Sequence, residues 1–272
     1  MNYVPKDDVE NPNVSKEDGL KSFLILASAT LFVCAILFFS AAWLGEKLIL
    51  LISPQQEISS FAKWSSKFGM PWPEGEKVLS KIFGENAKQY NLIVLKEESP
   101  NAFAFPGRVL GVTCGLLNGM KSENGLAFVM GHELGHFHHQ DHLKGVGRAL
   151  GLGIGMMFLG ISAGEGAMIQ LGQDVMARSF NRGQESAADA FSLELLKKTY
   201  GGVQGATEFF DLIQSQPESA LRGSERWENL LSTHPHPETR IKLIQSHNSQ
   251  NQIESEEVIP LSSEVRQVCL EK

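Results

Sequence analysis

The chain has 272 residues, with 31 acidic against 24 basic side chains and a formal net charge of −7. Lys and Arg form no long block, which excludes a protein that holds nucleic acid by its charge. Three cysteines are too few for a disulfide framework, and the length suits one domain with room for a further segment.

Residues 1–21 are polar, mixed in charge and contain two prolines, which predicts a disordered tail. Ser22 to Leu44 reads SFLILASATLFVCAILFFSAAWL, 23 residues without a charge. As a helix they span about 34 Å, enough for a bilayer core, and Trp43 suits its interface. A cleaved signal peptide is the rival reading, given the small Ser40 and Ala42. The long, net acidic leader and the length of the apolar run favour a retained anchor over 22–52, with lipid as the partner of 22–44. Lys6, Lys16 and Lys21 precede the span, and Lys47 and Lys63 follow it. The positive-inside rule leans toward a cytoplasmic N-terminus and an exported remainder, periplasmic in a Gram-negative cell.

Residues 53–90 read as connecting helices broken at Met70-Pro71-Trp72-Pro73. Asn91–Lys96, Asn101–Phe105 and Arg108–Cys114 are strand candidates, the last two joined by Pro106-Gly107. The apolar run Leu126–Met130 then opens a helix capped by Ser122 or Asn124, with Lys144-Gly145 suiting its end. That helix carries His132-Glu133-Leu134-Gly135-His136. Histidines four apart share one face and can grip one metal ion. Zinc lowers the pKa of a bound water toward about 7, and Glu133 is placed to take its proton. Gly135 spares the ion or substrate a crowding side chain. The bland alternative is a core helix whose histidines are merely hydrogen-bonded. His138, His139 and His142 read as helix surface.

A catalytic zinc needs a third protein ligand. In Asn181–Asp189, Glu185 and Asp189 share a face with Ala188. Glu185 becomes the ligand and Asp189 the acceptor for a ring N–H of a ligating histidine, unless the face is an ordinary solvated one. Gly201-Gly202 ends this helix after Lys197-Lys198. Between the ligand helices, Ala149–Gly164 is apolar but only 16 residues long. Ligands of one ion must share one side of a membrane, so the stretch is expected not to cross it. It should be a helix packed on the core or dipping into the interface beside the anchor. Further helices are expected at Thr207–Gln214 and from Glu238 to Ile244, and a mobile polar tail at 248–272. Cys114 and Cys269 can pair or stay free.

Four segments together resemble the HtpX and CAAX-prenyl-protease family of membrane-associated zinc metallopeptidases. They are Asn101–Gly107, His132–His136, Arg182–Asp189, and Ser232-Thr233-His234-Pro235 with Arg240. Arg108 departs from it where a second glycine is common, and Cys114 where a polar residue is common. The resemblance implies a zincin-like domain over 53–247, mainly α with a small β-sheet or hairpin. It implies one Zn2+ per chain on His132, His136 and Glu185, with Glu133 as general base. His234 would donate to the oxyanion, or is a turn histidine. Arg240 or Arg182 would neutralise Asp189 or Glu185. Asn101, Ala102, Phe103 and Ala104 would line the cleft edge, where a strand binds extended peptide through its main chain. Expected substrates are misfolded or unassembled membrane or envelope proteins. A zinc-binding chaperone or adaptor, and a multi-span protease facing the cytoplasm, are the alternatives.

Overall fold

The protein is described here from a computed structural model that covers residues 19–158, 180–215, 234, 237–250 and 258–270. Of the tail expected at 1–21, residues 1–18 lie outside these residues, as does the end of the apolar stretch at 159–164, whereas Gly19, Leu20 and Lys21 are helical. Helix α1 (Gly19–Ile49) has 31 residues, and its most apolar 18-residue window has a mean hydropathy of 2.5. Among the described residues it is the one helix long and apolar enough to cross a membrane. Short helical turns follow from Pro54 to Phe68, opened by a Ser53–Gln56 capping box.

Four short strands form one sheet: β1 (Met70–Pro71), β2 (Asn91–Leu95), β3 (Ala102–Phe105) and β4 (Val109–Thr113). Their order is β1-β2-β4-β3, with β2 and β4 parallel and both outer pairs antiparallel. The three strands expected from sequence are β2, β3 and β4; β1 is too short to leave a periodic signal. Every side chain of β2 after Asn91 is buried because both faces are covered. Leu92 and Val94 join the helical core, whereas Ile93 and Leu95 pack with Phe105 and Val109 beneath Ala62 and Phe68.

The helices are α2 (Pro73–Phe83), α3 (Cys114–Gly119), α4 (Glu123–His138), α5 (Asp141–Phe158), α6 (Arg182–Tyr200), α7 (Glu208–Gln214) and α8 (Pro237–Gln250). The architecture is thus mainly α with a small sheet, as the sequence predicts. Ser122 caps α4 by accepting the Gly125 N–H at 2.9 Å. The helix stops sooner than expected, at His138 rather than near Lys144-Gly145. Gln140 takes a left-handed φ of 54°, and a new helix starts at Asp141. α6 begins on an Asn181–Gln184 capping box and ends on Gly201 at φ 85°.

Of the two placements expected for the stretch from Ala149, it lies along α1 and not on the catalytic core. An added Cβ at Gly151 would fall on the backbone oxygen of Ala41, so only glycine permits this approach. One expectation needs correction: the C-terminus is not a mobile tail throughout 248–272. α8 is helical to Gln250, and Glu123 N–H donates to Ile259 O at 2.8 Å. Leu261 N–H donates to Lys121 O at 2.9 Å. Leu261, Val265 and Val268 are buried, Trp72 Nε1–H donates to Val265 O at 3.0 Å, and Cys269 is disulfide-bonded to Cys114. Few apolar residues anchor this segment, so its docking left no periodic signal.

Candidate active site

Helices α4 and α6 lie side by side because glycine faces small residues. An added Cβ at Gly131 would lie 2.6 Å from Ser192 Oγ, and one at Gly135 2.7 Å from Ala188 Cα. Gly135 is therefore needed for helix packing, not to spare an ion as the sequence reading had it. The close approach brings the HExxH face of α4 against the acidic face of α6. His132, His136, Glu185 and His234 come together, their ligand atoms all within 4.8 Å of one another and all buried.

Both helix imidazoles are oriented through Nδ1. His132 donates to Asp189 Oδ1 at 2.8 Å and His136 to Asp141 Oδ2 at 3.1 Å. The Nε2 atoms then face each other at 3.1 Å. With each ring proton committed to a carboxylate, two lone pairs converge, an arrangement suited to a cation. Glu185 adds its oxygens at 3.4 Å from His136 Nε2 and 3.6 Å from His132 Nε2. The donor set of two imidazoles and a carboxylate fits zinc.

The surrounding charges act on the two imidazoles in opposite directions. Burial opposes charge on His136, yet hydrogen bonds to Asp141 and Glu185 and the nearby Glu133 outweigh it and raise its pKa to about 9. On His132, burial and then the Arg240 guanidinium lower the pKa despite the adjoining carboxylates. Burial raises the Asp141 pKa, but hydrogen bonds from His136, Lys144 and Gln184 prevail and hold it at about 2. Asp189 is likewise raised by burial, and Arg240 brings it down to about 2. Glu185 is held well below the usual carboxylate range, against burial, by the surrounding histidines.

Arg240, buried on α8, forks onto both acids. Nη1 lies 2.7 Å from Glu185 Oε2, and Nε and Nη2 donate to Asp189 at 2.8 and 2.6 Å. Arg182 is exposed on the first turn of α6, and Arg240 is the guanidinium paired with both Glu185 and Asp189. His234 has Nδ1 3.2 Å from Glu185 Oε1 and Nε2 3.7 Å from Glu133 Oε1, so it touches both the acidic ligand position and the candidate base. Glu133 is 1% exposed, and its Oε2 has no hydrogen-bond partner among the described residues. The cleft is lined by Asn101 and Ala102 of the sheet edge, Phe128 and Val129 of α4 and Phe209 of α7, along with Glu133 and His234. Phe103 and Ala104 continue β3, whose one strand partner among the described residues is β4.

Sequence reasoning missed three members. Asp141 lies beyond the turn at Gln140, outside any helical spacing from His136. Phe180 stacks on the His136 ring at 3.8 Å between centroids. His142, expected on the surface, is buried and donates from Nε2 to Glu57 Oε1 at 2.9 Å. The same oxygen accepts the N–H groups of Gly107 and Arg108 at 2.9 and 3.1 Å, so Glu57 holds the β3–β4 turn. Arg108 has a left-handed φ of 56°, which is why a glycine suits that position. His138 and His139 stay outside the cluster; His139 Nδ1–H donates to Gly135 O at 2.8 Å.

The sequence signature of peptidase family M48 matches residues 74–248, from α2 into α8. The chain belongs to peptidase family M48. As a family member it is a metalloendopeptidase, in accord with the HtpX-like resemblance. It is 27% identical to a protease HtpX homolog 1 of Sulfurisphaera tokodaii over 58% of this chain and 68% of that protein. It is 25% identical to the human mitochondrial metalloendopeptidase OMA1 over 66% of this chain and 35% of that protein. A Vibrio cholerae protein named as a beta-barrel assembly-enhancing protease is 26% identical over 56% of this chain and 33% of its own length. The chain thus spans about a third of these last two relatives. The M48 match includes every candidate ligand and leaves α1 outside.

Proposed function

We propose that this M48 chain is a membrane-anchored zinc endopeptidase. His132, His136 and Glu185 hold the ion, one per chain. The observation that carries this is the pair of Nε2 atoms at 3.1 Å beside Glu185, next to a Glu133 oxygen without a hydrogen-bond partner among the described residues. Bound zinc would supply Lewis-acid polarisation of the scissile carbonyl and acidify the attacking water. Glu133 takes the proton of that water and returns it to the leaving amine. His234 donates a hydrogen bond to the developing oxyanion. The free edge of β3, with Asn101, Ala102, Phe103 and Ala104, aligns an extended substrate by main-chain hydrogen bonds. Asp189 and Asp141 orient the two histidines, and Arg240 offsets the charge of Glu185 and Asp189.

In this reading α1 crosses the bilayer and the domain lies outside the cytoplasm. The lysine distribution supports that orientation, and so does the Cys114–Cys269 disulfide, because such bonds persist in oxidising compartments. The substrates are misfolded or unassembled membrane or envelope proteins, a class that the name of the V. cholerae relative supports. A zinc-binding adaptor has no use for the Glu133 carboxylate in that position. The test is Glu133→Gln in the purified full chain. Bound zinc should stay at the wild-type level while casein cleavage falls by several orders of magnitude. Substantial remaining cleavage would remove Glu133 from the mechanism.

A further inference from the structure

Helix α5 changes its surroundings along its length. Its first turns belong to the domain: Asp141, His142, Leu143 and Val146 are all buried there. From Gly147 onward it runs antiparallel to α1. Gly147 meets Gly45, Gly151 meets Ala41 and Ala42, and Gly155 meets the Phe38 ring. The three glycines are four residues apart, so they form one face on which the two backbones touch. That is the way helices associate in hydrocarbon, where burial of apolar side chains gives no driving force.

The flank of α5 beside this glycine face is apolar and increasingly bare. Leu150, Ile154 and Met157 are 39%, 53% and 68% exposed. α1 presents Phe39 and Trp43 in the same way, at 68% and 63%. A continuous apolar surface of this kind requires a cover. Charge shows where the cover begins. Arg148 Nε donates to Glu46 at 3.0 Å, where α5 first meets α1, and Lys47 and Lys144 lie near that level. Beyond it, neither 149–158 nor 22–45 contains a charged residue.

We propose that α5 dips into the bilayer against α1, with lipid acyl chains covering its Leu150, Ile154 and Met157 face. The proposal rests on the reading that α1 spans the membrane. From Arg148 to Phe158 is ten residues, about 15 Å of helix, or half the thickness of a hydrocarbon core. His136 Nε2 and Glu185 Oε1 are 3.4 Å apart, so the chain on either side of 141–181 emerges on the same side. α5 therefore enters without crossing. One consequence concerns substrate. Asp141, which holds His136, stands seven residues before Arg148, no more than about 10 Å along the helix. The catalytic site is thereby fixed close to the bilayer surface and takes polypeptide segments that lie there.

The test uses the full chain in phosphatidylcholine–phosphatidylglycerol vesicles, in a Cys34→Ser background that keeps the Cys114–Cys269 bond. Single nitroxide labels are placed through Leu31→Cys on α1, Ile154→Cys and Met157→Cys on α5, and Lys198→Cys on the exposed end of α6. Casein cleavage within about twofold of the parent certifies the fold of each, and either α5 site suffices alone. Collisions with oxygen should outweigh those with a water-soluble nickel chelate at Leu31, Ile154 and Met157, by about tenfold relative to Lys198. Lipid exposure at Leu31 with nickel access at both α5 sites would overturn the insertion of α5 and leave the anchor standing. Nickel access at Leu31 would overturn the anchor reading and the proposal with it.

Discussion

Asp141 Oδ2 accepts the Nδ1–H of His136 at 3.1 Å, from the first turn of the helix that follows the HExxH helix. The contact turns the imidazole so that Nε2 faces His132. It also ties a candidate metal ligand to the helix that packs on α1. Asp141 itself is held by Lys144 and Gln184 at 2.7 Å each, so its position does not depend on the histidine. Asp141→Ala should therefore weaken zinc binding by about 10–100-fold while leaving the fold intact, and Asp189→Ala should do the same at His132. Glu185→Ala should lower metal occupancy and activity together. Competition with a chelator of known affinity measures all three. Wild-type affinity in Asp141→Ala would show that the hydrogen bond does not orient the ligand.

Gly135 gives a test of packing against metal crowding. Its missing Cβ would lie 2.7 Å from Ala188 Cα, so Gly135→Val forces α4 and α6 apart. The cost should be about 1–3 kcal/mol of unfolding free energy, as for other overpacked cores. Urea denaturation of the metal-free protein reads this directly. A variant of wild-type stability that fails only to bind zinc would restore the crowding explanation.

The buried arginine predicts acid behaviour. Asp189 and Asp141 have folded pKa values of about 2, below the ordinary carboxylate value of about 4. Such groups contribute stability that is complete above about pH 4 and is lost as pH falls toward 2. Each is worth on the order of 2 kcal/mol. Arg240→Ala leaves Glu185 and Asp189 buried without their counter-charge and should cost about 3–5 kcal/mol at neutral pH. The folded pKa of Asp189 then rises, so the acid unfolding midpoint should move to higher pH. Circular dichroism across pH 2–7 follows both proteins. An unchanged midpoint would mean that the arginine does not set the Asp189 charge.

The disulfide joins positions 155 residues apart and pins residues 258–270 over Trp72 and Met120. Cys269→Ser should lower stability by about 2–4 kcal/mol. Cys114→Ser should cost the same, and the double variant no more than either one. Thermal unfolding with and without reductant supplies the check. Additive losses would indicate that the two sulfurs act separately.

The motif on α4, the Glu185–Asp189 pair on α6, the three longer strands and the long apolar helix α1 were all legible from local spacing. Helical and strand periods act over a few residues, and caps such as Asn181 with Gln184 or Gly201 are local too. The HExxH pattern and its i, i+4 acidic counterpart thus specified a metal-binding chemistry before any fold was known. Tertiary structure alone decided which groups complete it. Asp141 reaches His136 only because the chain turns at Gln140. Arg240 reaches both acids because α8 buries it between them. Glu57 and His142 meet across 85 residues, and the C-terminal segment docks across a bond spanning 155. Gly135 and Gly151 look alike in the sequence, yet one lets α4 and α6 touch and the other lets α5 touch α1. Periodicity records which face of an element is apolar; packing between distant elements determines what that face meets.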